Sequence, residues 1–254
     1  MLPITLYTKT DIGKERTSNE DSVASLIMNS QSFRSELHYG ILVVADGMGG
    51  LDKGEVASEI ATKKFIEAVT ENIFHYTSDN GQIKFKEVLT KAVEAANKEV
   101  WAISENQSDR IGTTLVGAII VDNHIYIVNV GDSRAYLIKP NKSIRQITKD
   151  HSAVQEMLDN NVITKEQAKN HPRRNILTKA LGLSETVSPD IYEQYMGGET
   201  LMLCSDGLYG MLDEKEITKT VNGNIYKTAD DLISLANKHG GIDNISVAIA
   251  RYSA

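Results

Sequence analysis

Four acids in this sequence stand where an apolar, β-favouring run meets small or polar residues. Asp46-Gly47 closes "ILVVA", Asp206-Gly207 closes "LMLCS", Gly131-Asp132 follows "IYIVNV", and Asp243-Asn244 opens "ISVAIA". A lone Asp-Gly is a turn signal, because both residue types favour turns. An aspartate at the end of a buried strand is nevertheless costly to desolvate unless it is paired, hydrogen-bonded or bound to a metal. If the strands belong to packed sheets, their ends can converge on one rim. A carboxylate cluster there calls for cations, and hard oxygen ligands suit Mg²⁺ or Mn²⁺.

The glycines of "DGMGG" allow the backbone to approach an ion or phosphate closely, and a main-chain carbonyl can itself become a ligand. The run lacks the Lys-Ser/Thr end of a P-loop and matches a dinucleotide fingerprint poorly. A further element, "GKERTSNED", carries Glu20 and Asp21 just before a strand, with Arg16 ahead of them. The guanidinium of Arg16 offers a planar fork matched to a phosphate.

The elements that must position these groups are legible from period. Strand-like runs lie at 3–9, 22–28 and 38–45, followed by helical patterns at about 54–74 and 82–104. The first helix carries Val56, Ala57, Ile60, Ala61, Phe65, Ala68 and Val69 on one face. The second carries Phe85, Val88, Leu89, Ala92, Val93, Ala96, Val100 and Trp101. "SDNG" at 78–81 is the turn that lets the two pack antiparallel. Strands return at 113–121, 124–130, 134–139 and 143–148, with Asp122-Asn123 as a hairpin turn. A polar segment from 150 to 183 holds short helical patterns at 153–160 and 165–170. Strands at 190–195 and 200–206, a helix near 228–239 and a strand at 244–252 complete the chain. Runs of strands with paired helices predict an α+β fold. No repeat or linker divides the chain, so one domain is expected over residues 1–254.

Composition bounds the function. With 34 acids against 27 Lys and Arg, the formal charge is −7, which disfavours nucleic acid as a partner. The one cysteine, Cys204, cannot form an internal disulfide. The first residues lack the basic and apolar regions of a signal peptide, and no apolar run approaches the roughly 20 residues a membrane helix needs. A cytoplasmic location and no membrane association are expected.

Taken in order, "RTSNED", "VVADGMGG", "GTTLVGAII", "VNVGDSRAYLI", "LCSDGL" and "DNISV" resemble the bacterial branch of the metal-dependent Ser/Thr protein phosphatases, the PPM or type 2C family. The motifs span residues 11–249, and the 150–183 segment is similar to the family's flap, placed at about 152–183. The resemblance implies a four-layer αββα sandwich, two antiparallel sheets flanked by helix pairs. It implies two tightly bound Mn²⁺ or Mg²⁺ ions and a weaker third, with Asp46 bridging two metals, the Gly47 carbonyl on one of them, and Asp206 and Asp243 completing the other. Glu20 and Asp21 would act mainly through bound waters, Asp132 would serve the third ion with Asp206, and Arg16 would hold the phosphate. Asp46, Asp206 and Asp243 are thus the expected catalytic core, acting through a metal-activated water with no covalent intermediate. The implied partners are phosphorylated proteins, a Ser/Thr kinase and its substrates among them, and the implied state is a monomer.

Several residues fall outside that scheme. Met48 stands where many eukaryotic members carry a His thought to protonate the leaving group. A metal-bound water near Asp132 and His151 are the alternative proton sources, His151 being also readable as a structural histidine at the flap's base. Arg173, Arg174 and Lys179 read as either a solvated face or a basic patch that steers phosphorylated segments. Cys204 has Gly210, not Arg, six residues on, and so lacks the pattern of a cysteine-based phosphatase. A pseudophosphatase that binds phosphoproteins without turnover, and a hydrolase of small phosphate esters, are the competing functions.

Overall fold

The computed structural model describes residues 4–31, 36–49, 53–78, 83–105, 110–169 and 171–252. In chain order the strands are β1 (Ile4–Asp11), β2 (Asp21–Gln31), β3 (Glu36–Met48), β4 (Gly112–Thr113), β5 (Leu115–Val121) and β6 (His124–Val130). Then come β7 (Arg134–Ile138), β8 (Ile144–Gln146), β9 (Asp190–Tyr195), β10 (Thr200–Cys204) and β11 (Ile245–Tyr252). The helices are α1 (Gly54–Ser78), α2 (Phe85–Ser104), α3 (Ala153–Asp159), α4 (Lys165–Lys169), α5 (Asp206–Tyr209), α6 (Glu214–Thr220) and α7 (Ile225–Lys238).

The strands form two antiparallel sheets, ordered β1-β11-β10-β7-β8 and β2-β3-β5-β6-β9, with β4 beside β3. Side-chain alternation along β3 shows how they stack. Leu42 and Val44 join Leu6, Val116, Leu137, Leu203 and Ala248 in an apolar layer between the sheets. Ile41 and Val43 point the other way, against Ala61, Phe65, Val93 and Val100 of α1 and α2. The second sheet does the same: Met202, Val247 and Ile249 pack on Ile217, Leu232 and Ala236 of α6 and α7. The result is the expected α+β sandwich of four layers, helices outside and sheets within. A strand buried on both faces carries few polar residues, which is why "ILVVA" reads as a continuous apolar run.

The differences from the sequence reading have local causes. β3 does not stop at Ala45: Gly47 and Met48 pair with Thr113 and Gly112, so Asp46 lies inside a strand. The expected strand 113–121 breaks at Thr114 into β4 and β5. Val56 is exposed, while Ile73 takes its place on the buried face of α1. Helices α5 and α6 were not expected. α6 starts at a capping box in which Asp213 accepts from the Glu216 amide and Glu216 accepts from the Asp213 amide. Residues 79–81 of the "SDNG" turn and Gly50 of "DGMGG" lie outside the described residues.

Candidate active site

The acids singled out in the sequence come from the same ends of both sheets. Asp21 opens β2 and is the register partner of Asp46 on β3. Asp206 follows β10, Asp243 precedes β11, and Asp132 lies in the link between β6 and β7. These chain ends are neighbours because β2 runs antiparallel to β3, and β10 to β11.

Electrostatics records the convergence. Burial raises Asp46 well above the usual carboxylate range, and the charges of Asp21, Asp206, Asp132 and Asp243 add to the effect. Asp21 is pushed by burial up to about 7, with Asp206 and Asp243 adding and the hydroxyls of Ser246 and Ser205 opposing. Asp132 is pushed by burial up to about 8, helped by Asp206 and Asp150. Asp206 is raised by burial and by Asp243, against a hydrogen bond with Asp46 and the charges of Arg16 and Arg134. Mutually repelling carboxylates with hard oxygen donors are the chemistry a divalent cation relieves. Ser205 donates to Asp21 Oδ2 at 2.7 Å, whereas buried Oδ1 makes no hydrogen bond of good geometry among the described residues. Among those residues, no three His, Cys, Asp or Glu side chains stand as a ready-made metal cage. By its chemistry, buried carboxylates that raise one another, the donor set fits a hard cation.

The backbone around these acids is tightly held. A Cβ on Gly47 would fall within the Gly54 carbonyl and lie 2.6 Å from the Glu20 carbonyl, so only glycine lets the three segments meet. Glu20 Oε1 accepts from the Gly54 amide at 3.2 Å, at the start of α1. Asn244, given no role from sequence, is a buried clamp. Its Oδ1 accepts from the Glu20 amide at 2.8 Å, and its Nδ2 donates to the carbonyls of Ile12 and Ser18, each at 2.9 Å. The 12–20 loop is thereby fixed to β11, and Arg16 on that loop donates to Asp243 at 2.8 Å.

A protein-family model described as protein phosphatase 2C matches residues 14–238. The chain belongs to the protein phosphatase 2C family. It is 40% identical over 246 residues to the serine/threonine phosphatase stp of Listeria monocytogenes serotype 4b, covering 95% of this chain and 93% of that one. Among solved structures it is similar to serine/threonine phosphatase Stp1 from Staphylococcus aureus, with a TM-score of 0.83, 32% identity and coverage of 100% and 96%. It is also similar to the catalytic domain of phosphatase PstP, solved in complex with two manganese ions, with a TM-score of 0.79, 31% identity and full coverage of both chains.

Within this protein phosphatase 2C fold the remaining candidates separate. Cys204 is buried in β10, and burial pushes its thiol up to about 12, so it is no thiolate nucleophile. His151 is buried with both ring nitrogens partnered. Nδ1 accepts from the Gly131 amide at 3.1 Å, and Nε2 lies 3.3 Å from Asp190 Oδ2. These contacts are in keeping with the structural reading of His151. Lys179 lies 3.4 Å from Asp190, while Arg173 and Arg174 are exposed. Met48 is partly exposed beside Gly112, and its thioether has no proton to give. No helix among the described residues is long and apolar enough to cross a membrane.

Proposed function

We propose that this chain hydrolyses phosphoserine and phosphothreonine in proteins, with Mn²⁺ or Mg²⁺ held by Asp46, the Gly47 carbonyl, Asp206 and Asp243. Glu20 and Asp21 would contribute through the waters of that site, and Asp132 with Asp206 would hold a weaker third ion. The observation that carries the reading is the gathering of Asp21, Asp46, Asp132, Asp206 and Asp243 at one end of the two sheets, each raised value having neighbouring carboxylates among its causes. When bound, the ions supply a water of lowered pKa and neutralise charge on phosphoryl oxygens.

The chain's own residues do the rest. Asp46, on one sheet, and Asp206, beside the other, feel one another's charge, so ligands from both sheets are presented to one space. Arg16 binds the phosphate through its guanidinium fork, its loop anchored by Asn244. No side chain needs to become a nucleophile, which agrees with the inert Cys204. Neither Met48 nor the fully partnered His151 gives up the leaving-group proton. With the site loaded, a water near Asp132 would supply it.

The test is hydrolysis of a phosphothreonine peptide with Mn²⁺ and then with EDTA. Turnover is expected with Mn²⁺, lost on chelation and restored on adding the ion back. Asp206→Ala is expected to lose more than roughly a hundredfold, since even outer partners of a metal site cost about 10–100-fold. Binding of the peptide with no turnover under any metal would make the protein a phosphoprotein-binding regulator. Turnover of small esters alone would make it a small-ester hydrolase.

A further inference from the structure

The two-residue strand β4 is paired on both of its edges. On one side Thr113 and Gly112 face Gly47 and Met48 of β3. On the other, Thr113 exchanges two backbone hydrogen bonds with Leu181, at the end of the 152–183 segment: its amide donates to the Leu181 carbonyl at 3.1 Å and its carbonyl accepts from the Leu181 amide at 2.9 Å. The Thr113 hydroxyl lies 2.9 Å from the Asp46 carbonyl and 2.9 Å from that of Thr114. Thr114 completes the grip. Its amide donates to the Asp46 carbonyl at 2.9 Å, and its Oγ1 accepts from the Asp46 amide at 3.0 Å.

We propose that Thr113 is a positioning residue that couples the end of the 152–183 segment to the Asp46–Gly47 peptide, so that segment and metal centre shift together. The inference rests on the reading that Asp46 and Gly47 belong to that centre. Thr113 and Leu181 are fully buried and Thr114 nearly so. The two backbone bonds between Thr113 and Leu181 cannot open without leaving buried polar groups unpaired.

The far side of the segment is equally constrained. Asn97 of α2, buried beneath it, accepts from the Gly182 amide at 2.9 Å and donates to the carbonyls of Ser184 and Glu185 at 3.1 and 3.0 Å. Arg110 donates to the Leu183 carbonyl at 2.7 Å. Residues 181–185 are therefore clamped between α2 and β4. A displacement of the segment by a bound phosphoprotein has a hydrogen-bonded route through Leu181 and Thr113 to the Asp46 carbonyl. Small misplacements of a metal-bearing peptide are costly to catalysis.

The test uses Thr113→Val, which keeps the shape and the backbone pairing but removes the hydroxyl, and Thr113→Ser, which keeps the hydroxyl. Thr113→Val is expected to weaken Mn²⁺ binding, measured by titration calorimetry, by about tenfold and to lower kcat comparably, as outer partners of metal sites do. KM for the phosphopeptide stays within about twofold, and Thr113→Ser recovers both losses. Asn97→Ala, remote from every site residue, is expected to weaken Mn²⁺ binding and to speed amide exchange at Leu181. Combined with Thr113→Val, its effect is less than multiplicative, because the two act along one path. Folding is checked for each variant by thermal unfolding with EDTA. Unchanged Mn²⁺ affinity in Thr113→Val, or strictly multiplicative effects in the double variant, overturns the coupling. Asp46→Asn separates this from failure of the underlying reading: if that variant binds Mn²⁺ normally, the metal assignment is wrong, and if it does not while Thr113→Val does, the coupling alone fails.

Discussion

Arg16 and Asp243 are joined by a 2.8 Å hydrogen bond across 227 positions of chain, between the loop that follows β1 and the residues that lead into β11. The contact is half exposed, so as an ion pair it contributes little to stability. Its value lies in where it holds the guanidinium. The same loop is pinned by the Lys14 amide on the Gly241 carbonyl at 2.6 Å and by the Asn244 side chain. One of five N–H donors serves Asp243 in this bond, and the planar group lies at the aspartate rim. Arg16→Ala is expected to raise KM for a phosphopeptide by about tenfold, about 1.4 kcal/mol of binding, with little change in thermal unfolding. Arg16→Lys should recover part of the loss, because an ammonium cannot reproduce the fork. Unchanged KM and kcat in the alanine variant would make Arg16 an ordinary surface residue.

A second pair sits behind Asp132. Arg134 grips Asp150 through Nε at 3.0 and 3.2 Å and through Nη2 at 2.7 Å, and Gln146 donates to the same carboxylate at 3.1 Å. The guanidinium lies 3.6 Å above the Tyr209 ring, whose hydroxyl donates to the Asp132 carbonyl at 3.0 Å. Asp150 is buried, so removing it alone strands a charge. Asp150→Ala is expected to cost about 3–5 kcal/mol, read as a lowered urea midpoint. The double change Arg134→Met with Asp150→Leu should cost less, since no buried charge is left unpaired. Equal losses would mean that the hydrogen bonds, and not charge burial, set the value of the pair.

Much of this was legible in the sequence, and what was not has a common origin. The apolar run of β3 announced a buried strand, and acids beside such runs announced the rim, because burying a carboxylate demands a partner. The layer each face of β3 meets could not be read, since Leu42 and Ile41 are equally apolar yet pack on opposite layers. The extension of β3 through Asp46 to Met48 depends on Gly112 and Thr113, far along the chain. Asn244 looked like half of a turn dipeptide, and its clamp on the 12–20 loop is a contact between the two ends of the chain. The start of α6 was different. Its Asp213 and Glu216 spell a capping box, but seven residues give too little apolar period to reveal a helix on their own.

His151 offers a test of pH dependence that does not involve the metal ligands themselves. Because Nδ1 accepts from the Gly131 amide, the ring proton sits on Nε2, facing Asp190 Oδ2 at 3.3 Å and Lys179 Nζ at 3.4 Å. Burial lowers the imidazole below its ordinary 6.5 and Lys179 lowers it further, while Asp190 and Asp150 pull the other way. The folded protein therefore resists a proton that the unfolded chain accepts. Above about pH 6.5 both states are neutral and the group contributes nothing to the slope. As pH falls through that value the unfolded state gains protons and stability drops, levelling off once the folded imidazole titrates as well. Asp190 acts in a lower window. Burial pushes it up, but His151 and Lys179 outweigh this and hold it below 3.8, so its contribution is lost only as pH falls below that value. His151→Gln is expected to lose less stability than the parent between pH 7.5 and 5.5, measured by urea unfolding at each pH. Comparing the two proteins isolates the imidazole from Asp21 and Asp132, whose raised values overlap that range. Parallel pH profiles would show that the buried imidazole takes up its proton as readily in the fold as in the unfolded chain.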